Sequence, residues 1–358
     1  MINIRLEDVA SFVRNIGSEC TLIINHNDNL IIGSNKGLLI CWSVSSGIEK
    51  WRNSFEGPCS ELVTDEEICY LTENGNVHSI NLKSGEIVWS LELEGLSDFI
   101  QVNGENVWVT SSTYDLHISN YSESIVWLIN KNGDIMEKWA VEGKPWSLAI
   151  TDHGVFIGLS RPKCGYAKIS KNNNIEYVSL KNENPVTIGL EKDKMIFLGH
   201  SNGKVTVIDQ EVTREIDIGK SAVSSLEKKD DLIIGLESGE IYSELNEWNI
   251  KLDGIIDRIV QGPSIEGVRF LWSSSWSNNS TICAIDINTG LINYKLQHNF
   301  RIRQMKSNGK ILVLGDSDGK IFLIEDLVLN RRIKAPIELI ENDEKRALLK
   351  DKLRSLRM

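Results

Sequence analysis

Nowhere in its 358 residues does the chain carry an apolar stretch near the ~18 residues that a membrane-spanning helix needs. Positive charge is also in deficit: 39 Lys and Arg stand against 50 Asp and Glu, leaving a formal charge of -11. Such a field repels polyanions, so general nucleic-acid binding is not expected. The opening residues, MINIRLEDVASF, are acidic early and have no apolar h-region, which sets the expectation of no export leader, no membrane insertion and a cytoplasmic location. The cysteines, Cys20, Cys41, Cys59, Cys69, Cys164 and Cys283, include no CxxC and no adjacent pair. Metal and redox frameworks want closer spacing, so Cys41, Cys69 and Cys283, in strand-like runs, read as small buried hydrophobes. His26, His78, His117, His153, His200 and His298 show no ligand spacing, and no Walker loop, G-x-S-x-G, G-x-G-x-x-G or H-E-x-x-H falls in a suitable setting. Neither a cofactor nor a metal is expected, and no catalytic residue is assigned.

What the chain does have is a rhythm. Residues 67–89 read EICYLTENGNVHSINLKSGEIVW: an apolar strand, an Asn74-Gly75 hairpin turn, an alternating second strand, a Lys83-Ser84-Gly85 turn, and a third strand carrying Trp89. The first of these strands recurs as LIIGSNKG, ICYLTENG, VWVTSS, VFIGLS, IFLGHSNG, LIIGLESG, FLWSSS and LVLGDSDG. With Gly33, Leu71, Val109, Gly158, Gly199, Gly235, Trp272 and Gly315 as equivalent points, the eight copies lie about 40 residues apart, the period of four strands per propeller blade. Short apolar runs such as CTLII and WSLAI precede each copy as candidate innermost strands. Helical solenoids are disfavoured because no i, i+3, i+4 stripe persists through a copy. The expectation is all-β: residues 1–336 as one eight-bladed propeller of four-stranded antiparallel blades. An amino-terminal strand, Ile2 to Leu6, closes the last blade, with Asn330 to Lys334 as the alternative. Residues 337–358 follow as a short amphipathic helix, Asn342 near its start and Leu349, Leu353 and Leu356 along one side.

A second turn carries more specific information. In SVSSGIEKW, NLKSGEIVW, INKNGDIMEKW and AIDINTGLINY, an Asn or Asp such as Asn81 or Asp286 precedes the glycine by four residues and can accept backbone N–H groups across the turn. Ser84 or Thr289 adds a hydroxyl, and Gly85 or Gly290 supplies a positive φ. Trp51, Trp89 and Trp139 follow on the outer strand, where an indole can lie over the neighbouring blade and bind the two together. This resembles the tryptophan-docking motif of PQQ-like repeat propellers, the quinoprotein alcohol dehydrogenase superfamily, in which A-x-D-x-x-T-G-x-x-x-W ties blade to blade. Ala284, Asp286, Thr289 and Gly290 match it, with Tyr294 in the place of tryptophan. The similarity spans residues 20 to 330; copies 4, 5, 6 and 8 have lost the motif, and a WD40-like relationship stays open. The quinoprotein enzymes hold their cofactor under a vicinal disulfide, and no two cysteines here are adjacent, so the resemblance implies the fold without the PQQ site.

Candidate binding residues come from the departures. Copy 3 expands a hairpin with SSTYDLHISNYSES, copy 4 with RPKCGY and copy 7 with SSSWSNNS, all on the face that also holds the loops entering the innermost strands. Tyr114, Tyr121, Arg161 and Trp276 stand in these insertions and are read as contacts for a protein partner, against the plainer reading of solvated decoration. Trp146, the Asp257-Arg258 pair, Arg301 and Arg303 would crowd the mouth of the central channel, and Trp146, Arg301 and Arg303 join the candidate partner contacts. There Arg301 and Arg303 either hold a carboxylate or phosphate or make ordinary ion pairs between blades. The functional expectation is a non-enzymatic protein-interaction scaffold. A small-ligand sensor or enzyme at the channel mouth, and a structural subunit docked through the terminal helix, are the alternatives.

Overall fold

In a computed structural model that describes residues 4–117, 119–210 and 212–333, eight four-stranded antiparallel blades form a propeller ring. Blade 1 sets the plan: Cys20–His26 lies innermost, followed outward by Asn29–Ser34, Leu38–Ser43 and Glu49–Ser54. The following blades occupy residues 59–92, 96–141, 145–178, 186–217, 223–251, 255–298 and 302–325. The second and third strands are buried almost throughout, while the fourth alternates and faces solvent, as in Ile87–Glu92. The core is correspondingly not one body. Eight apolar clusters each fill the seam between two neighbouring blades, for example Leu22, Ile31, Leu39 and Trp51 of blade 1 with Leu62, Leu71 and Ile80 of blade 2. No blade buries its two faces alone, so stability is a property of neighbours.

All eight innermost strands bulge at the same place, between Cys20 and Leu22 in blade 1 and at the matching step in every other blade. Facing the bulge on the second strand are Gly33, Thr72, Thr110, Gly158, Gly199, Gly235, Ser274 and Gly315. The restriction to Gly, Thr and Ser has a steric cause. A Cβ on Gly33 would lie 2.8 Å from Cβ of Cys59, and one on Gly199 would lie 2.6 Å from Val223 Cγ1, in each case on the innermost strand of the next blade. The bulge also corrects the repeat register. Leu71 and Val109 stand one residue, and Trp272 two, before the true equivalents Thr72, Thr110 and Ser274, because an extra inner-strand residue leaves no mark on hydrophobic alternation.

The ring closes with a strand near the amino terminus, but not with Ile2 to Leu6. Phe12–Asn15 pairs antiparallel with Lys320–Glu325, setting Phe12 opposite Leu323, and becomes the outer strand of blade 8. Ile4–Arg5 instead pairs parallel with Ile292–His298 as a fifth strand on blade 7. Between them a single helical turn, Leu6–Val9, buries Leu6 and Val9 against Leu329 and Ile333. The alternative closing segment, 330–334, is not a strand over its described part, since Asn330 lies in the helix Asp326–Arg332. The helix expected over residues 337–358 lies outside the described residues. Across this last seam the buried His298 meets Asp316 at 2.7 Å and Glu7 at 3.3 Å, joining blade 7, blade 8 and the amino-terminal turn.

Candidate functional site

The outer seams show how the aromatic repeats are used. Trp51 Nε1 donates to the Leu82 carbonyl at 2.9 Å, and its ring lies so close over Gly85 that a Cβ there would come within 2.7 Å. Gly85 can offer that bare surface because it sits at φ 76° in a turn held by Asn81, whose Oδ1 accepts from Lys83 N and Ser84 N at 3.0 Å. Trp89 repeats the arrangement on Lys131 O at 2.8 Å, and Trp139 on Asn173 O at 3.0 Å. In blade 7, Asp286 Oδ1 accepts from Asn288 N at 2.9 Å and Thr289 N at 3.3 Å, and Gly290 at φ 72° receives a tryptophan from blade 6. That tryptophan is Trp248, whose Nε1 reaches Ile287 O at 2.9 Å. Copy 6 hides its docking residue because Trp248 directly follows the turn, with Glu247 at φ 53° where the motif has glycine. Tyr294 packs edge-on against Phe270 within the cluster of blades 7 and 8.

On the face that carries the insertions, two of the three are strand rather than loop. In blade 3 the second and third strands run Asn106–Asp115 and Asn120–Asn130, and from Thr113 outward they pair only with each other, past the ends of their flanking strands. Tyr114 and Tyr121 face across this projecting hairpin as a T-shaped pair with centroids 5.2 Å apart. Tyr114 is 47 % exposed and Leu116, at the tip, 82 %. Lys144 stands beside them with its Nζ 5.1 Å from the Tyr121 ring centroid, and its backbone N–H donates to Arg161 O at 3.2 Å. Trp146, two residues on, is 42 % exposed. Tyr114, Tyr121, Trp146 and Arg161 therefore belong to one neighbourhood on blades 3 and 4. Trp276 does not join them. It ends the strand Phe270–Trp276 on blade 7, across the ring, and the serines beside it, Ser273, Ser274 and Ser275, are buried in that strand.

The channel mouth is built from charged residues of the innermost strands and the loops that enter them. Arg301 forks onto Asp257 Oδ1, through Nε at 3.0 Å and Nη2 at 2.6 Å, and Arg303 Nη2 reaches Glu19 Oε2 at 3.2 Å. Both are ion pairs between blades, and in this arrangement each arginine already has its carboxylate. A third such tie joins Lys144 to Asp98, with Lys144 Nζ also 2.7 Å from Ser112 Oγ. Inside, two cavities of about 410 and 530 Å³ both touch Glu61, Phe99 and Lys306. Burial pushes the Glu61 carboxyl up to about 7, offset in part by the Ile100 N–H, which donates to it at 2.9 Å, and by Lys306. Burial likewise raises Asp98 and Glu227. Neither cavity is lined by histidine or cysteine, and no metal-binding group of His, Cys, Asp or Glu occurs among the described residues. Five of the six cysteines are buried, with Cys59 and Cys69 pushed up to about 12 by burial, which makes them poor nucleophiles. The arrangement offers charge, hydrogen bonds and aromatic surface for binding.

A family model described as outer membrane protein assembly factor BamB matches residues 15–139. Those residues are blades 1 to 3, the ones carrying Trp51, Trp89 and Trp139. The fold of the whole chain is consistent with a PQQ-like propeller. No curated protein matches the sequence. Among solved structures, Sqt1 from Saccharomyces cerevisiae superposes with a TM-score of 0.71 at 12% identity, covering 91% of this chain and 99% of its own. BamB from Moraxella catarrhalis gives 0.66 at 13% identity over 88% of this chain and 99% of its own. The computationally designed Ika8 protein gives 0.66 at 17% identity over 87% and 98%. At these identities the likeness is one of fold.

Proposed function

We propose that this propeller is a non-enzymatic protein-interaction platform, and that its principal contact surface is the patch on blades 3 and 4 formed by Tyr114, Tyr121, Trp146 and Arg161. The observation that carries the reading is the blade 3 hairpin, which lifts an aromatic pair and the exposed Leu116 clear of a rigid sheet. Rigid aromatic surface beside an arginine is the composition from which binding hot spots are made. The match of blades 1 to 3 to an assembly-factor family supports a role in contacting other proteins. A cytoplasmic setting is part of this proposal, supported by six unpaired cysteines.

The test is co-purification from the native cell. Replacing Tyr114, Tyr121 and Trp146 together by alanine is expected to abolish recovery of the partner while Tm changes by less than about 2 °C, because these side chains are largely outside the seams. Trp276→Ala is expected to leave recovery intact. If the triple variant retains its partner, the contact surface lies elsewhere.

A further inference from the structure

Three of the basic residues at the channel mouth have carboxylate partners. Arg301 has Asp257, Arg303 has Glu19 and Lys144 has Asp98. Arg258, on the innermost strand of blade 7, has no carboxylate within salt-bridge distance among the described residues. Its single hydrogen bond runs from Nη1 to the Asp257 carbonyl at 2.8 Å. A guanidinium offers five N–H donors, so four are left to face the cavity in a partly buried setting. Burial and the neighbouring Arg303 and Arg301 disfavour its charge, with only Asp257 acting the other way. Charges withdrawn from water in folded proteins are normally paired, because an uncompensated one is strongly destabilising. The arrangement is therefore what a binding site looks like before its counter-ion arrives.

The surroundings point the same way. Arg258 lines the cavity of about 410 Å³ at the mouth, together with Thr21, Trp146, Gln304 and Lys306. Thr21 Oγ1 is buried there without a hydrogen-bond partner, and Arg303 Nε, on the neighbouring innermost strand, is a second orphan. The same wall holds two acids. Asp98 is tied to Lys144 and Ser112, and Glu61 is pushed up to about 7, so that near neutrality it opposes an incoming anion only in part.

We propose that this cavity is a carboxylate-binding site in which Arg258 provides the principal, forked contact and Lys306 a second positive charge. A planar carboxylate fits a guanidinium fork through two parallel N–H···O bonds. The group can belong to a free small molecule or to an acidic side chain that a protein partner inserts into the channel. Trp146 borders both this cavity and the contact patch, but Tyr114 and Tyr121 do not line the cavity and Arg258→Gln leaves the patch residues in place, so the two assignments are tested by different variants.

The experiment is thermal melting of the full chain with citrate, inorganic phosphate or a tetraglutamate peptide, each against sodium chloride at matched ionic strength. Citrate or the peptide is expected to raise Tm by about 3 °C or more at saturation, and Arg258→Gln to remove the rise. Without additive, R258Q is expected to melt no lower than the wild type, since it removes a charge that has no carboxylate partner and stands near Arg301 and Arg303. Arg258→Lys keeps the charge and loses the fork, and should raise the half-saturating concentration by about tenfold or more. A response to citrate alone assigns a free carboxylate, and a response to the peptide at lower concentration assigns an inserted acidic side chain. The proposal is overturned if neither probe exceeds the salt control, if phosphate shifts Tm as far as citrate does, or if R258Q responds like the wild type.

Discussion

Neighbouring blades are joined in two different ways, one at the rim and one at the channel. At the rim a tryptophan from one blade lies on a glycine turn of the next and gives its N–H to a carbonyl there, as Trp51 does over Gly85. At the channel the joint is ionic: Lys144 to Asp98, Arg301 to Asp257, Arg303 to Glu19. The rim joint gains its energy from buried aromatic area and is insensitive to pH and salt. The channel joint must first recover the cost of desolvating two charges, so it adds less net stability while fixing where charged groups stand. A propeller of this kind separates the task of holding the ring from the task of presenting chemistry at its centre.

This contrast can be broken or sharpened by mutation. The largest effect is expected from Trp51→Ala, which empties a buried indole site and orphans the Leu82 carbonyl; denaturant unfolding should show a loss of about 3–5 kcal/mol. Lys144→Ala should follow at about 3 kcal/mol, because it leaves Asp98 without its cation in a poorly solvated site. Combining Lys144→Met with Asp98→Asn removes both charges at once and should restore most of that loss. If K144A costs as much as W51A and the double variant recovers nothing, the two joints are not different in kind.

A smaller effect, about 2 kcal/mol, is expected at Glu61 and depends on pH. Its carboxyl titrates at about 7 when folded and at the ordinary 4.5 when not, so between these values the unfolded chain releases the proton first and stability falls as pH rises. Glu61→Gln should remove that decline, leaving the variant close to wild type at about pH 4.5 and more stable than it at about pH 8. The smallest effect belongs to Lys194→Ala, which removes a solvent-screened, exposed pair with Asp152 at the far end of the channel and should leave the denaturant midpoint unchanged within error.

How much of this was legible in the chain itself differs between the two joints. The rim joint is written in contiguous letters: an Asn or Asp, a hydroxyl, a glycine and an aromatic within about a dozen residues, each with a local reason to be there. Even so Trp248 escaped, since its turn places the indole one residue after the positive-φ position instead of four. The channel joint is not written locally at all. Arg303 and Glu19 come together only because the ring closes, and the unpaired state of Arg258 is visible only once every neighbour has been placed. Arg301 and Arg303 could be read as anion ligands or as ion-pair partners for that reason, because no local pattern shows which carboxylate each one faces. Arg258 stood out in the chain only as one more charge at the mouth.

The forty-residue period, the alternation within each copy and the turn chemistry determined by themselves that the chain makes eight small antiparallel sheets, because strands, hairpins and positive-φ turns are short-range consequences of residue type. Only the tertiary structure decided which amino-terminal residues close the ring, where the inner strands bulge against the next blade, and which charges at the centre find partners. Those outcomes depend on distances between residues far apart in sequence, and such distances exist only after the eight sheets have packed around a common axis.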